Sequence, residues 1–265
     1  MASDENRNWR PARVVENRPV ARGSMWLALE ADDDRPAAYQ PGHVLGLGLQ
    51  EEDGGYVRHA YTVSRGDPAR RRFEHLYRVI PEGRMTPRLA ELGAGATVYF
   101  HGPGHTPIQE EVRAEAKRIA GLATGTGIGP LFGFAEKTLR EGEARPLALY
   151  IGFREEADFC LVDKLEALAR EHANFAWRFT VSRPSNGWAG LKGRLTESVP
   201  PLLRDLPAHH FHLVGNGEMV HAVRKALYRA GMQRERVSIE TYFNHHADPT
   251  EAEIDALAAR FRDGR

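Results

Sequence analysis

Residues 120–130, Ala-Gly-Leu-Ala-Thr-Gly-Thr-Gly-Ile-Gly-Pro, pass from an apolar run into three glycines at alternate positions and then a proline. Leu131, Phe132, Gly133, Phe134 and Ala135 follow. The order predicts a strand, a tight turn and a helix start. Pro130 suits the first helical position, where a missing N–H is no loss. Around Thr124, Gly125, Thr126, Gly127, Ile128 and Gly129, the absence of Cβ atoms lets backbone approach a pyrophosphate closely. The helix behind adds free N–H groups and a partial positive charge. Taken alone, the loop fits a dinucleotide phosphate site and a glycine-rich turn feeding a buried helix equally well. No Gly-Lys-Ser/Thr follows, which excludes a Walker A loop.

The surrounding chain has two grammars. Up to about residue 112, short strand patterns recur at residues 13–15, 25–29, 44–49, 56–64, 73–80 and 97–100. Turn signals such as Pro41-Gly42, Asp53-Gly54-Gly55 and Gly66-Asp67-Pro68 separate them, and one short helix is expected over 86–92. Six such strands predict an antiparallel β-barrel in a domain spanning 1–113. After a charged hinge at 111–117, strands at 118–123, 146–152, 175–182, 211–214 and 237–242 alternate with helices at 130–140, 162–171, near 196–203 and at 218–230. That alternation predicts an α/β doubly wound parallel five-stranded sheet over 114–243. The rest, 244–265, reads as an extension with a short amphipathic helix: Thr250 and Glu253 form a capping box ahead of Ile254, Leu257, Ala258 and Phe261. Such a helix is expected to pack on its own protein.

Composition narrows the function classes. The 36 basic and 36 acidic residues balance to a formal charge of zero, which argues against nucleic-acid binding driven by bulk charge. One cysteine, Cys160, supplies neither an internal disulfide nor the four thiolates an iron–sulfur cluster usually takes. No apolar leader opens the chain and no apolar run is long enough to span a membrane, so a cytoplasmic protein is expected.

In the second domain, the glycine loop follows the first parallel strand, where such sheets bind dinucleotides. The next strand lacks the usual terminal acid for a ribose 2′-hydroxyl and ends in Phe153-Arg154; the third ends in Ser182-Arg183, with Lys192 and Arg194 just beyond. Any one of these cations fits an ordinary solvated strand end. Together at one sheet edge they suit a 2′-phosphate, favouring NADPH over NADH. In the first domain, Arg58, His59, Ala60, Tyr61, Thr62, Val63 and Ser64 place an aromatic beside hydroxyls, able to stack on a flat ring and bond its heteroatoms, though an ordinary strand reads the same way. Gly83, Arg84, Met85 and Thr86 form a second glycine-to-helix turn, a phosphate site or a plain N-cap.

The order of these motifs resembles the ferredoxin–NADP reductase family, in particular its bacterial branch acting on ferredoxin or flavodoxin. The resemblance runs from about residue 12 to 243. Residues 40–44 are similar to the family's Pro-Gly-Gln entry and His59-Ala60-Tyr61-Thr62 to its Arg-x-Tyr-Ser/Thr flavin motif. Residues 83–86 are similar to its Gly-x-x-Ser/Thr turn, Gly102-Pro103-Gly104 to its Gly-Pro loop, and residues 123–130 to its Gly-Thr-Gly-Ile-x-Pro loop. Val214, Gly215, Asn216, Gly217, Glu218 and Met219 resemble its Cys-Gly-Asn-x-x-Met segment, and Glu240-Thr241-Tyr242 its closing Glu-x-aromatic.

The resemblance implies FAD on the barrel, NADPH on the sheet and hydride transfer between them, with one-electron release to ferredoxin or flavodoxin. It implies that Tyr61 stacks on the flavin, Thr62 bonds near N5, Thr86 and nearby amides hold the FAD pyrophosphate, and Tyr242, near Glu240, covers the face nicotinamide must reach. Three departures stand out. His59 replaces the family arginine, with Arg58 one place earlier; Val214 replaces a cysteine; and the chain continues beyond Tyr242. Neighbouring strand positions face opposite ways, so Arg58 is not expected to substitute for His59. The alternatives on the same scaffold are the reductase component of an oxygenase system and a non-catalytic flavin or nucleotide sensor. Of His209, His210, His212, His245 and His246, only the 210/212 pair has same-face strand spacing, and no acid or cysteine adjoins it, so no metal site is expected. Arg70-Arg71-Arg72 reads as a solvated hairpin turn, or more weakly as a docking point for an acidic carrier.

Overall fold

The computed structural model describes residues 9–242 and 248–263. The chain divides into two compact units, residues 1–108 and 109–265.

The first unit is an antiparallel sheet of β1 (Arg10–Ala21), β2 (Ser24–Ala31), β3 (Val44–Gln50), β4 (Tyr56–Thr62), β5 (Arg65–Asp67), β6 (Arg72–Arg78) and β7 (Thr97–Gly104), with α1 (Thr86–Ala90) between β6 and β7. Strand order is β4-β3-β7-β1-β2-β6-β5, seven strands where six were expected. The extra one, β5, has three residues and no alternation to announce it. The sheet curls back on itself: just past β4, the Ser64 N–H donates to Glu74 O on β6 at 2.7 Å. Inward positions recur along the longer strands. Leu27, Leu29, Leu45, Leu47, Phe73 and Phe100 are fully buried, each contributing roughly 1.5–3 kcal/mol by leaving water. Asn17 on β1 anchors α1, its amide donating to Leu89 O and Leu92 O at the helix end. The Arg70–Arg72 turn is built as a 3₁₀ turn over Pro68–Arg70, and Arg71 pairs with Asp34 while Arg72 pairs with Glu74.

A short helix, α2 (Ile108–Glu111), spans the division between the units. The second unit holds β8 (Arg118–Thr124), α3 (Ile128–Arg140), β9 (Leu147–Phe153), α4 (Val162–Glu171), β10 (Phe175–Val181), β11 (Leu191–Lys192), α5 (Leu195–Ser198), β12 (His209–Asn216), α6 (Gly217–Arg229), β13 (Val237–Tyr242) and α7 (Glu251–Asp263). The parallel sheet runs β11-β10-β9-β8-β12-β13. It has six strands instead of five because the two-residue β11 adds beside β10. Order reverses direction at β8, which has β9 on one side and β12 on the other.

Two helix expectations need correction. The helix placed near 196–203 is split into α5 and a 3₁₀ turn over Pro200–Leu202, since Pro200 and Pro201 have no N–H to continue it. Pro130 is the third residue of α3, not the first, because the glycines first tighten into a 3₁₀ turn over Gly125–Gly127. It still costs nothing there, since the first four N–H groups of a helix lack partners. The C-terminal helix packs on the second unit's core, where Leu257, Ala258 and Phe261 join Val223, Ala226 and Leu227 of α6. Its capping box forms as read, Thr250 N–H on Glu253 Oε2 at 2.8 Å and Glu253 N–H on Thr250 Oγ1 at 3.3 Å.

Four buried histidines, His75, His209, His210 and His212, are all held below the ordinary imidazole range by burial and are expected to make the protein acid-sensitive. Burial holds His75 in the barrel and His210 in the second sheet down to about 4, and holds His212 well below the usual imidazole range. The unfolded chain therefore binds more protons than the native one between pH 6.5 and 4. Stability is complete above pH 6.5 and falls as pH drops towards 4, His75 alone costing about 3 kcal/mol at most. Urea unfolding at pH 7.5 and pH 4.5 is expected to show a clearly lower midpoint at the acid value. An unchanged midpoint contradicts it.

Candidate functional site

The second unit's crevice forms where β8 and β12 end side by side. The Thr124 hydroxyl at the end of β8 accepts the Asn216 N–H at 2.8 Å, tying the two following loops together. A Cβ at Gly127 would stand 2.7 Å from Val214 O, and one at Gly215 would stand 2.9 Å from Thr124 O. Gly215 also has φ +127, which favours glycine. These close approaches bring the start of α3, with Ile128, Gly129 and Pro130 buried, beside the start of α6. Asn216 caps α6, its Oδ1 accepting the Glu218 N–H at 2.8 Å, while Gly217 and Met219 are buried behind it. Two thirteen-residue helices thus aim their N-termini to the carboxyl edge at the sheet's switch point, a site suited to phosphate.

The predicted cations fall in one row. Ser182 N–H donates to Phe153 O at 3.1 Å, Arg183 N–H to Arg154 O at 2.8 Å, and Gly193 N–H to Val181 O at 2.9 Å. These bonds align the ends of β9, β10 and β11. Ser182, Arg154, Arg183, Lys192 and Arg194 are all exposed. Among the described residues none of these four cations has an ion pair, whereas Arg10, Lys137, Arg145 and Arg229 each hold a carboxylate within 2.7 Å. Glu156, close by, is occupied by the Ser185 N–H and hydroxyl. Glu240 and Tyr242 lie on β13, paired with Val214 and Asn216, and the residues after Tyr242 lie outside those described.

On the barrel, register decides what β4 presents. His59 pairs with Leu47 and Tyr61 with Leu45, whereas Arg58 pairs with Gly48 and Ala60 with Gly46. Opposed residues share a face, so His59 goes with Tyr61 and Arg58 lies on the other side. Arg58 and His59 both border a cleft of about 360 Å³ that Gly46, Ala60, His101 and Gly102 also line. Tyr61 stands edge-on to His75 and Tyr77, with ring centroids 6.3 and 6.1 Å apart. Its hydroxyl is buried with no hydrogen-bond partner, and burial holds the phenol neutral by pushing its pKa far up. Val63 and Ser64 are fully buried, and Ser64 Oγ accepts the Leu76 N–H at 3.2 Å, so they shape the strand end from within. In the turn before α1, Gly83 N–H bonds Ile80 O, Met85 is buried, and the Thr86 hydroxyl accepts the Ile80 N–H at 2.8 Å. That hydroxyl closes the turn, so what the turn offers a phosphate is backbone N–H.

Among the described residues no three His, Cys, Asp or Glu side chains are grouped to hold a metal. The His210 and His212 rings lie 4.6 Å apart and tilted by 51°, and they face Arg113, Ser238, Phe134 and Glu111; His245 and His246 lie outside the described residues. Cys160 is buried, and its thiol is pushed up to about 12, far from a reactive thiolate. No helix among the described residues is long and apolar enough to cross a membrane.

Residues 11–106 match the oxidoreductase FAD-binding domain and residues 122–225 the oxidoreductase NAD-binding domain. Ferredoxin--NADP reductase B of Sorangium cellulosum (strain So ce56) is 32% identical over 238 residues, covering 87% of this chain and 96% of that protein. The chain belongs to the ferredoxin–NADP reductase family. It is an oxidoreductase of that family, with an FAD-binding and a nicotinamide-nucleotide-binding domain. The fold agrees: a ferredoxin NADP+ reductase from Neisseria gonorrhoeae, with bound FAD and NADP, superposes with a TM-score of 0.74 at 21% identity over 89% of this chain and 99% of that one. The toluate 1,2-dioxygenase electron transfer component of Pseudomonas putida is 26% identical over 84% of this chain, which spans 64% of that protein's length.

Proposed function

We propose that this chain is an FAD enzyme that takes electrons from NADPH and passes them singly to ferredoxin or flavodoxin. The observation that carries the choice of NADPH is the row of cations at Arg154, Arg183, Lys192 and Arg194, exposed and without ion pairs among the described residues. A 2′-phosphate supplies the missing countercharge, and the Ser182 hydroxyl a neutral contact. The orphaned Tyr61 hydroxyl and the phenol ring beneath it fit a flavin carrying polar atoms beside its ring.

In this reading Tyr61 stacks on the flavin and Thr62 bonds near N5. His59 and the turn amides around Gly83 to Thr86 hold the FAD pyrophosphate, and the Gly125–Gly129 and Gly215–Gly217 loops hold that of NADPH. Glu240 and Tyr242 complete the nicotinamide side. FAD supplies the conversion of a hydride pair into single electrons. The chain orients both nucleotides and keeps the phenol neutral. With only Cys160 to offer, it holds no cluster of its own, so the electrons leave to a separate carrier.

The test is the absorbance spectrum of the purified protein before and after anaerobic NADPH, then NADH. Flavin bands bleached far faster by NADPH are expected; a colourless protein that takes up no added FAD overturns the reading. The match to a dioxygenase electron transfer component favours a second reading, the reductase component of an oxygenase, separated by which carrier supports fast turnover. Bound FAD with slow NADPH oxidation by every carrier points instead to a sensor.

His59→Arg is expected to bind FAD about tenfold more tightly, because guanidinium holds phosphate with paired charge-assisted bonds. Flavin fluorescence titration measures it, and equal or weaker affinity removes His59 from the pyrophosphate.

A further inference from the structure

Beyond β4 the chain changes partners. The Val63 N–H donates to His43 O at 2.8 Å and Val63 O accepts the Gly42 N–H at 3.0 Å; one residue on, the Ser64 N–H has moved to Glu74 O on β6. At that crossing the Thr62 carbonyl receives a side-chain donor: His75 Nδ1 lies 2.8 Å from Thr62 O. His75 sits on the inner face of β6 between Phe73 and Tyr77, has no exposed surface, and packs its ring edge-on to Tyr61 and Phe73. Its Nε2 is buried with no partner. A carbonyl oxygen can only accept, so Nδ1 carries the proton and Nε2 is a bare acceptor. Burial keeps the ring neutral at pH 7.

We infer that His75 is the positioning residue of the flavin-facing segment: its Nδ1–H fixes the Thr62–Val63 peptide plane, and thereby how Tyr61 and Thr62 are presented. This rests on the reading of Tyr61 and Thr62 as flavin contacts. Without the donor, the Thr62 carbonyl loses its hydrogen bond to His75 at the point where the strand changes neighbours, and the segment relaxes.

His75→Phe keeps the ring volume and removes the donor; His75→Asn keeps an N–H near the Nδ1 position. With His75→Phe, FAD affinity is expected to fall about tenfold, the ~1.4 kcal/mol of one hydrogen bond, and the visible circular dichroism of bound flavin to change. His75→Asn is expected to recover to within roughly threefold of the parent. A folded His75→Phe with parental affinity and spectrum overturns the inference, as do equal losses in both variants. If His75→Phe does not fold, nitrogen NMR of the native protein decides. A proton on Nδ1 supports the assignment and one on Nε2 overturns it. A parent protein that binds no FAD fails the functional reading instead, and the tautomer is still measured independently.

Discussion

Replacing Gly127 by valine is expected to cut turnover with NADPH by roughly 100-fold or more while FAD stays bound. The new Cβ would stand 2.7 Å from Val214 O and 3.0 Å from Val214 C, both backbone atoms of β12. That strand is hydrogen-bonded to β8 and β13 on its two sides and cannot yield. The loop between β8 and α3 must move, carrying the start of α3 away from its neighbour at α6. A shift of about 1 Å in such a cradle costs on the order of 100-fold. Titration calorimetry with NADP+ separates this from unfolding when circular dichroism is unchanged. Parental affinity in a folded variant removes the glycine loop from the nucleotide site.

The double change Arg154→Ala with Arg183→Ala is expected to lower kcat/KM for NADPH by at least about 100-fold and leave NADH within a few-fold, since each lost charge-assisted contact is worth roughly 1.5–3 kcal/mol. Backbone bonding between Arg183 and Arg154 keeps the two strand ends in register whatever their side chains, so the fold is not at stake. Steady-state kinetics with both nucleotides reads the ratio. An equal fall for both assigns the arginines to something other than the 2′-phosphate.

Much of the fold was readable because its strands and helices are long enough to show their periods. The run at 118–123 and the stripe Leu131, Phe134, Ala135, Leu139 declare β8 and α3 without help. Elements of two or three residues do not: β5 and β11 carry no alternation, and they exist because a neighbouring strand offers free backbone groups. β1 extends well past residues 13–15 because bulges near Glu16 and Ala21 absorb polar residues and Pro19 that no period accommodates. At the site, the row of cations could be read from strand ends alone. His75 could not, although its alternation with Phe73 and Tyr77 put a polar residue at an inward position; that mismatch was its only signal. The engagement of the Thr86 hydroxyl by Ile80 was equally invisible, since it depends on how a turn closes.

The C-terminal helix also bears on how this protein can be shortened. Arg229 on α6 grips Asp255 at 2.7 Å and Glu251 at 2.6 Å, and Ile254, Leu257, Ala258 and Phe261 are buried beneath. A chain cut after Tyr242 would uncover the flank of α6 that they cover, a contiguous greasy surface of the kind that makes proteins self-associate. Such a truncation is expected to come out of light scattering as oligomers or precipitate, and a monodisperse monomer would contradict it. The last helix therefore behaves less as an appendage than as a lid nailed onto the nucleotide-binding half.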